Sequence, residues 1–147
     1  MNSNQSKVTT NSRISTDKAP APVGAYPHAR KVGNLLFLSG VGPRKAGTTD
    51  IPGVTLNEDG SIKEYDIEAQ CRSVFDNIRT ILEASGSSWM ELVDVTVFLT
   101  NMADDFKIYN KVYAEYFADN QPCRTTIEIN CLPTPIAIEL KCIATTE

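Results

Sequence analysis

The hydrophobic period of this chain switches between helix and strand, and the order of the switches limits the fold. Cys71, Val74, Phe75, Ile78, Ile81 and Leu82 recur at helical spacing, with Arg72, Asp76, Arg79 and Glu83 opposite. Val93, Val95, Val97 and Leu99 then alternate with Asp94, Thr96 and Phe98, the pattern of a strand with one buried face. Helical spacing returns in Phe106, Tyr109, Tyr113, Tyr116 and Phe117, a set expected to form core. Residues 124–131 read as a further strand. Residues 136–144 read as the last, with Ile136, Ile138, Leu140 and Cys142 on one face and Glu139 and Lys141 on the other. Upstream, residues 26–32 and 35–39 flank Gly33-Asn34 as a β-hairpin. The order β-β-α-β-α-β-β predicts an α+β layer, two helices on one face of a mixed sheet. The uncovered face is expected to carry Arg, Thr, Glu and Asn side chains, which require water or partner subunits.

Local signals place the boundaries. Asp66 and Asn101 are expected N-caps, Asp104 suits a first helical turn, and Gly86 suits a helix stop. Residues 40–60 are long for a connection, and Asn57-Glu58-Asp59-Gly60 predicts a small hairpin within it. Residues 1–18 read as a flexible or loosely docked arm, and 19–147 as a single domain, consistent with a length of 147 residues.

Several function classes are disfavoured. A net charge of −4 argues against nucleic acid as a partner and against a polybasic membrane contact. No apolar run approaches the roughly 18 residues of a membrane span, and no secretory signal pattern is seen, so a cytoplasmic protein is expected. The four cysteines, Cys71, Cys123, Cys131 and Cys142, form no metal or redox spacing. They are expected to be reduced and buried, with Cys123 set apart because it precedes Arg124. His28 is the only histidine, which removes a His-based metal site, and no G-x-S-x-G supports a triad through it. It is expected at the surface or at a strand end. Without a G-x-G-x-x-G or Walker loop, nucleotide phosphates have no obvious cradle. Chemistry must then run on carboxylates, Arg or Lys, hydroxyls, backbone groups and water.

Two charges stand out. Arg124 opens a strand, and Glu139 interrupts an apolar one. Both fit a solvated strand face. They also fit a guanidinium that binds a carboxylate bidentately and a carboxylate that orients water. If their strands pair as a hairpin about Pro133-Thr134, Glu139 lies opposite residues near 128. Arg124 is then about four residues further on, on the order of 13 Å away. One small substrate would hardly touch both from the same subunit, so a shared site would draw on different subunits.

The run Pro122-Cys123-Arg124-Thr125-Thr126-Ile127-Glu128-Ile129-Asn130-Cys131-Leu132-Pro133, followed by Ile138-Glu139-Leu140, resembles the C-terminal signature of the RidA (YjgF-type) family. Gly24-Ala25-Tyr26, Ser39-Gly40, Thr96-Val97-Phe98, Asp105-Phe106 and Asn110 extend the resemblance over about residues 17–145. It implies a chorismate-mutase-like α+β barrel assembled as a homotrimer, with clefts between subunits and pairing into hexamers left open. It implies hydrolysis of a small carboxylate-bearing enamine or imine without metal or organic cofactor. Arg124 would grip the carboxylate and Glu139 would position the water. Tyr26, Ser39, Gly40, Phe106, Asn110 and Thr126 match cleft positions. The chain departs from the pattern at Cys123, where the family usually has a small residue, and at Thr126, often Cys, which argues against a thiolate mechanism. The long arm, Gly42-Pro43-Arg44 and Ile51-Pro52-Gly53-Val54 resemble the branch that deaminates 2-aminomuconate. A dicarboxylate substrate would favour a second cation, for which Arg44 or Lys45 is the candidate. The alternatives are a general 2-imino acid deaminase and a non-catalytic trimer that binds small carboxylates.

Overall fold

The computed structural model describes residues 12–146. Its strands are β1 (Arg13–Ile14), β2 (Ala29–Val32), β3 (Leu35–Leu38), β4 (Val54–Leu56), β5 (Ile62–Tyr65), β6 (Leu92–Leu99), β7 (Cys123–Glu128) and β8 (Ile138–Thr145). Its helices are α1 (Ile67–Ala84) and α2 (Met102–Phe117). Both helices begin at the expected caps. The Asp66 side chain accepts from the Ala69 N–H at 3.2 Å, and Asn101 accepts from the Asp104 N–H at 3.1 Å. Gly86, at φ +74°, turns the chain just past α1 with no Cβ clash.

The apolar stripe of α1 packs against the aromatic stripe of α2. Phe75 sits edge-on to Phe117 with centroids 5.3 Å apart, and Tyr113 stacks on Phe117 at 4.0 Å. Those rings are core, as their spacing predicts. Phe106 is not; it is 39% exposed at the outer side of the helix.

Six strands form one sheet in the order β1-β2-β3-β8-β6-β7, and β4 and β5 pair separately as the small hairpin expected from the turn signal. Only β6 and β7 run parallel. The expected hairpin between β7 and β8 does not form, because β6 lies between them. A strand–helix–strand unit carries the chain back so that β7 starts beside the start of β6. Residues 129–137 then cross the end of β6. The Ile129 N–H donates to the Leu99 carbonyl at 2.8 Å and the Thr100 N–H to that of Ala137 at 3.2 Å.

Register sets the faces. Arg124 and Thr126 lie level with Val95 and Val97, and Val97 also faces Leu140, so all five point toward the helices. Glu139 lies level with Phe98 and Lys141 with Thr96, on the uncovered face. Arg124 is therefore on the helix-covered side, not the open side expected for it. At the start of β6 a bulge between Leu92 and Asp94 shifts the alternation. Leu92 enters the core at 3% exposure, and Val93, expected inside, is 42% exposed.

Part of the arm is docked rather than flexible. β1 pairs with β2, and the Thr16 N–H donates to Nδ1 of His28 at 3.2 Å. Because Nδ1 accepts, Nε2 carries the proton and donates to the Pro20 carbonyl at 2.8 Å. His28 is thus at a strand end but buried. The first eleven residues of the arm lie outside the described residues. Cys71 and Cys142 are buried, and burial pushes both thiols up to about 12. Cys123 and Cys131 are exposed, against expectation; Cys131 lies in the part of the crossing segment that precedes its buried end at Ile136 and Ala137. Among the described residues no helix is long and apolar enough to cross a membrane.

A candidate active site in two halves

The first half gathers around Glu139. Between β3 and its next contact with β8, at Val41 and Leu140, the chain bulges through Ser39 and Gly40. Nζ of Lys141 donates to the Leu38 carbonyl beside this bulge. Ser39 Oγ donates to the Pro27 carbonyl at 2.7 Å, which leaves the hydroxyl oxygen able to accept. Gly40 is packed so closely that a Cβ there would meet the Glu139 carboxyl at 3.0 Å. Glu139 is half-buried, and burial alone raises its pKa; no hydrogen bond or ion pair within the described residues offsets that. A carboxylate held in this state is a stronger proton acceptor than one in water.

Tyr26, Ser39, Gly40, Arg44 and Glu139 line one recess, together with the Pro20–Val23 segment and Pro133. Arg44 Nη2 donates to the Ala21 carbonyl at 2.6 Å. Helix α1 fixes the loop that carries it: Asn77 Nδ2 donates to the Gly42 and Arg44 carbonyls, and Ser73 Oγ to that of Pro43. Lys45, the other candidate for a second cation, does not line the recess.

The second half lies on β7 and α2. Arg124 is exposed, and its Nη1 donates to Oδ1 of Asn110 at 2.8 Å. Its guanidinium lies over two rings, 4.6 Å from the centroid of Tyr113 and 5.4 Å from that of Tyr109. The Tyr109 and Thr126 hydroxyls are hydrogen-bonded at 2.9 Å. Phe106 sits beside Tyr109 with centroids 5.9 Å apart. Tyr109 and Tyr113 read in the sequence only as core; their partnership with Arg124 depends on the β6–β7 register, which the sequence pattern does not carry.

The fold thus collects the predicted residues into two groups: Tyr26, Ser39, Gly40, Arg44 and Glu139 in one, and Phe106, Asn110, Arg124 and Thr126 in the other. It does not bring the groups together within one chain. Glu139 and Ile127 both lie level with Phe98, and Arg124 is further along β7. Two strand spacings across and three residues along separate the Arg124 and Glu139 backbones by roughly 14 Å. Their side chains also leave opposite faces of the sheet. Among the described residues no group of three or more His, Cys, Asp or Glu side chains could hold a metal ion.

Comparison with known proteins is consistent across sequence and structure. A family model described as endoribonuclease L-PSP matches residues 16–146. A RutC family protein of Pyrococcus horikoshii is 41% identical over 89% of this chain and 94% of its own. The chloroplastic Reactive Intermediate Deaminase A of Arabidopsis thaliana is 41% identical over 90% of this chain and 64% of its own. Among solved structures, the YjgF gene product of E. coli superposes with a TM-score of 0.78 at 30% identity, covering 92% of this chain and 98% of that one.

Proposed function

The chain belongs to the endoribonuclease L-PSP family, that of the YjgF and RidA proteins, and on that premise we propose that it is a hydrolytic deaminase of small enamines or imines that carry a carboxylate. The observation that carries the proposal is Glu139, a half-buried carboxylate with a raised pKa and no partner among the described residues, beside the Ser39-Gly40 bulge. Simple carboxylate binding needs a guanidinium such as Arg124 but not this group.

The chemistry follows from the two groups. An enamine gains a proton on carbon and becomes an imine. Glu139 takes a proton from water as the oxygen bonds to the imine carbon. The resulting tetrahedral aminoalcohol receives that proton on nitrogen, its C–N bond breaks as the hydroxyl gives its proton back to Glu139 and the C=O forms, and ammonia leaves with a 2-oxo acid as co-product. Glu139 is the base of the addition and a proton carrier in the expulsion. Arg124 holds the carboxylate next to the reacting carbon and so fixes its orientation. Because the two groups leave opposite faces of a sheet, the reading requires Arg124 of one copy and Glu139 of another. That accords with residues 19–147 acting as one domain of a cytoplasmic homotrimer. No metal or organic cofactor is assigned a step, and activity is expected to survive a chelator.

For the substrate we propose 2-aminomuconate, an intermediate class of aromatic-ring degradation. Arg44 supports this: it lines the Glu139 recess and spends one Nη on Ala21, which leaves guanidinium N–H groups for a second carboxylate. The test is ammonia release from freshly generated 2-aminomuconate compared with 2-iminobutanoate. Higher kcat/KM on the dicarboxylate is expected. Equal or better turnover of the monocarboxylate would remove the substrate assignment and leave the general deaminase. Release from neither would remove the deaminase.

A further inference from the structure

We propose that Tyr109 and Tyr113 are positioning residues that hold the Arg124 guanidinium in place for a planar carboxylate. The inference rests on the deaminase reading only for the identity of the ligand.

Arg124 stands on an edge strand, and a long exposed side chain there would sample many rotamers, whose loss would weaken ligand binding. Three contacts remove that freedom. Asn110 accepts from Nη1, and the guanidinium carbon lies over two rings. The contacts differ in what they consume. A hydrogen bond occupies a donor, whereas attraction to a ring face occupies none. An acidic partner would occupy the fork and offset the charge; within the described residues Arg124 has none. The Tyr113 ring face therefore supports the cation without occupying a donor, and the charge stays available to a carboxylate, which a guanidinium accepts through two parallel bonds.

The rings are themselves fixed. Tyr113 stacks on Phe117 at 4.0 Å and 14° between planes. Tyr109 is fully buried, and its hydroxyl is bonded to Thr126, two residues beyond Arg124 on the same face of β7. That bond ties the helix bearing the ring to the strand bearing the cation. The Tyr113 hydroxyl, by contrast, is buried with no partner among the described residues, so its ring and not its oxygen supports Arg124.

The experiment compares Tyr113→Phe with Tyr113→Leu. Deamination of 2-iminobutanoate is measured together with calorimetric binding of pyruvate, a carboxylate that has no amine to lose. Tyr113→Leu is expected to raise KM and weaken pyruvate binding by about fivefold or more, the scale of a partly desolvated cation–π contact, with a smaller change in kcat. Tyr113→Phe is expected to restore both toward wild type. In an Arg124→Gln background, Tyr113→Leu is expected to add no further loss. Should Tyr113→Leu fail to fold, Tyr113→Met, closer in volume and also without a ring, supplies the same comparison. Equal effects of the Phe and Leu variants, or a full additional loss in the Arg124→Gln background, would overturn the proposal. A Phe–Leu split in pyruvate affinity with no turnover by wild type would sustain it while removing the deaminase.

Discussion

Arg124 and Glu139 leave opposite faces of one sheet, from strands that flank β6 on either side. A site that needs both groups must then be completed by a second copy. Arg124→Gln and Glu139→Gln are each expected to be nearly inactive alone. Unfolded together and refolded as a one-to-one mixture, they are expected to recover about one quarter of wild-type activity, because each site draws each group from an intact copy half the time. Mixing assays measure this directly, and a mixture as inactive as its components would refute a shared site.

Separated kinetically, the two substitutions should differ. Glu139→Gln is expected to lower kcat by about a hundredfold or more while ligand still binds, the usual scale for loss of a general base. Arg124→Gln is expected to raise KM strongly as well. Steady-state assays with pyruvate-binding controls distinguish the two patterns.

Gly40 lies where a Cβ would press on the Glu139 carboxyl at 3.0 Å. Gly40→Ala is expected to displace that carboxyl and reduce kcat by about a hundredfold, since a shift near 1 Å can cost that much. The thermal midpoint should change little, because Gly40 is exposed. Kinetics and calorimetry on one preparation check both parts.

Burial raises the Glu139 pKa, so folding favours its protonated form. The sign follows: relative to an unshifted group, the stability Glu139 contributes is fully present below the ordinary glutamate range and is lost as pH rises through the raised value. Glu139→Gln is therefore expected to melt above wild type at neutral pH, and the gap should close on acidification. A gap that widens in acid would contradict this assignment.

Tyr65 donates to buried Asp105 at 2.6 Å, and Asp105 has a raised pKa because burial outweighs that bond. Tyr65→Phe leaves the carboxylate without its donor, at an expected cost of about 1–3 kcal/mol. The bond favours the charged form, so the deficit should be largest at neutral pH and should shrink as pH falls through the raised Asp105 pKa. Denaturant titrations across that range measure it.

Elements whose cause is local were legible in the sequence. The caps at Asp66 and Asn101, the helical stripes and the 57–60 turn each rest on residues a few positions apart, and each formed as expected, except that Phe106 at the start of the α2 stripe stays out of the core. Strand partnership was less legible. The hairpin assigned to β7 and β8 followed from adjacency in sequence, but α2 returns β7 parallel to β6 and leaves β8 the other side. The same displacement moved Arg124 to the helix-covered face and hid its relation to Tyr109 and Tyr113. Alternation along one strand reports its two faces but not which strand lies beside it. The inner position of Leu92 escaped for a similar reason, since a bulge interrupts the count at Val93.

Strand β6 holds neither Arg124 nor Glu139, yet it is the ruler from which both are measured. A slip of one residue against β7 would turn the guanidinium away from its rings. The same slip against β8 would bury the carboxylate under the helices. The chemistry of this chain is thus calibrated by a strand that performs none of it, and a lesion in Val95 or Val97 would surface as a defect in two distant half-sites at once.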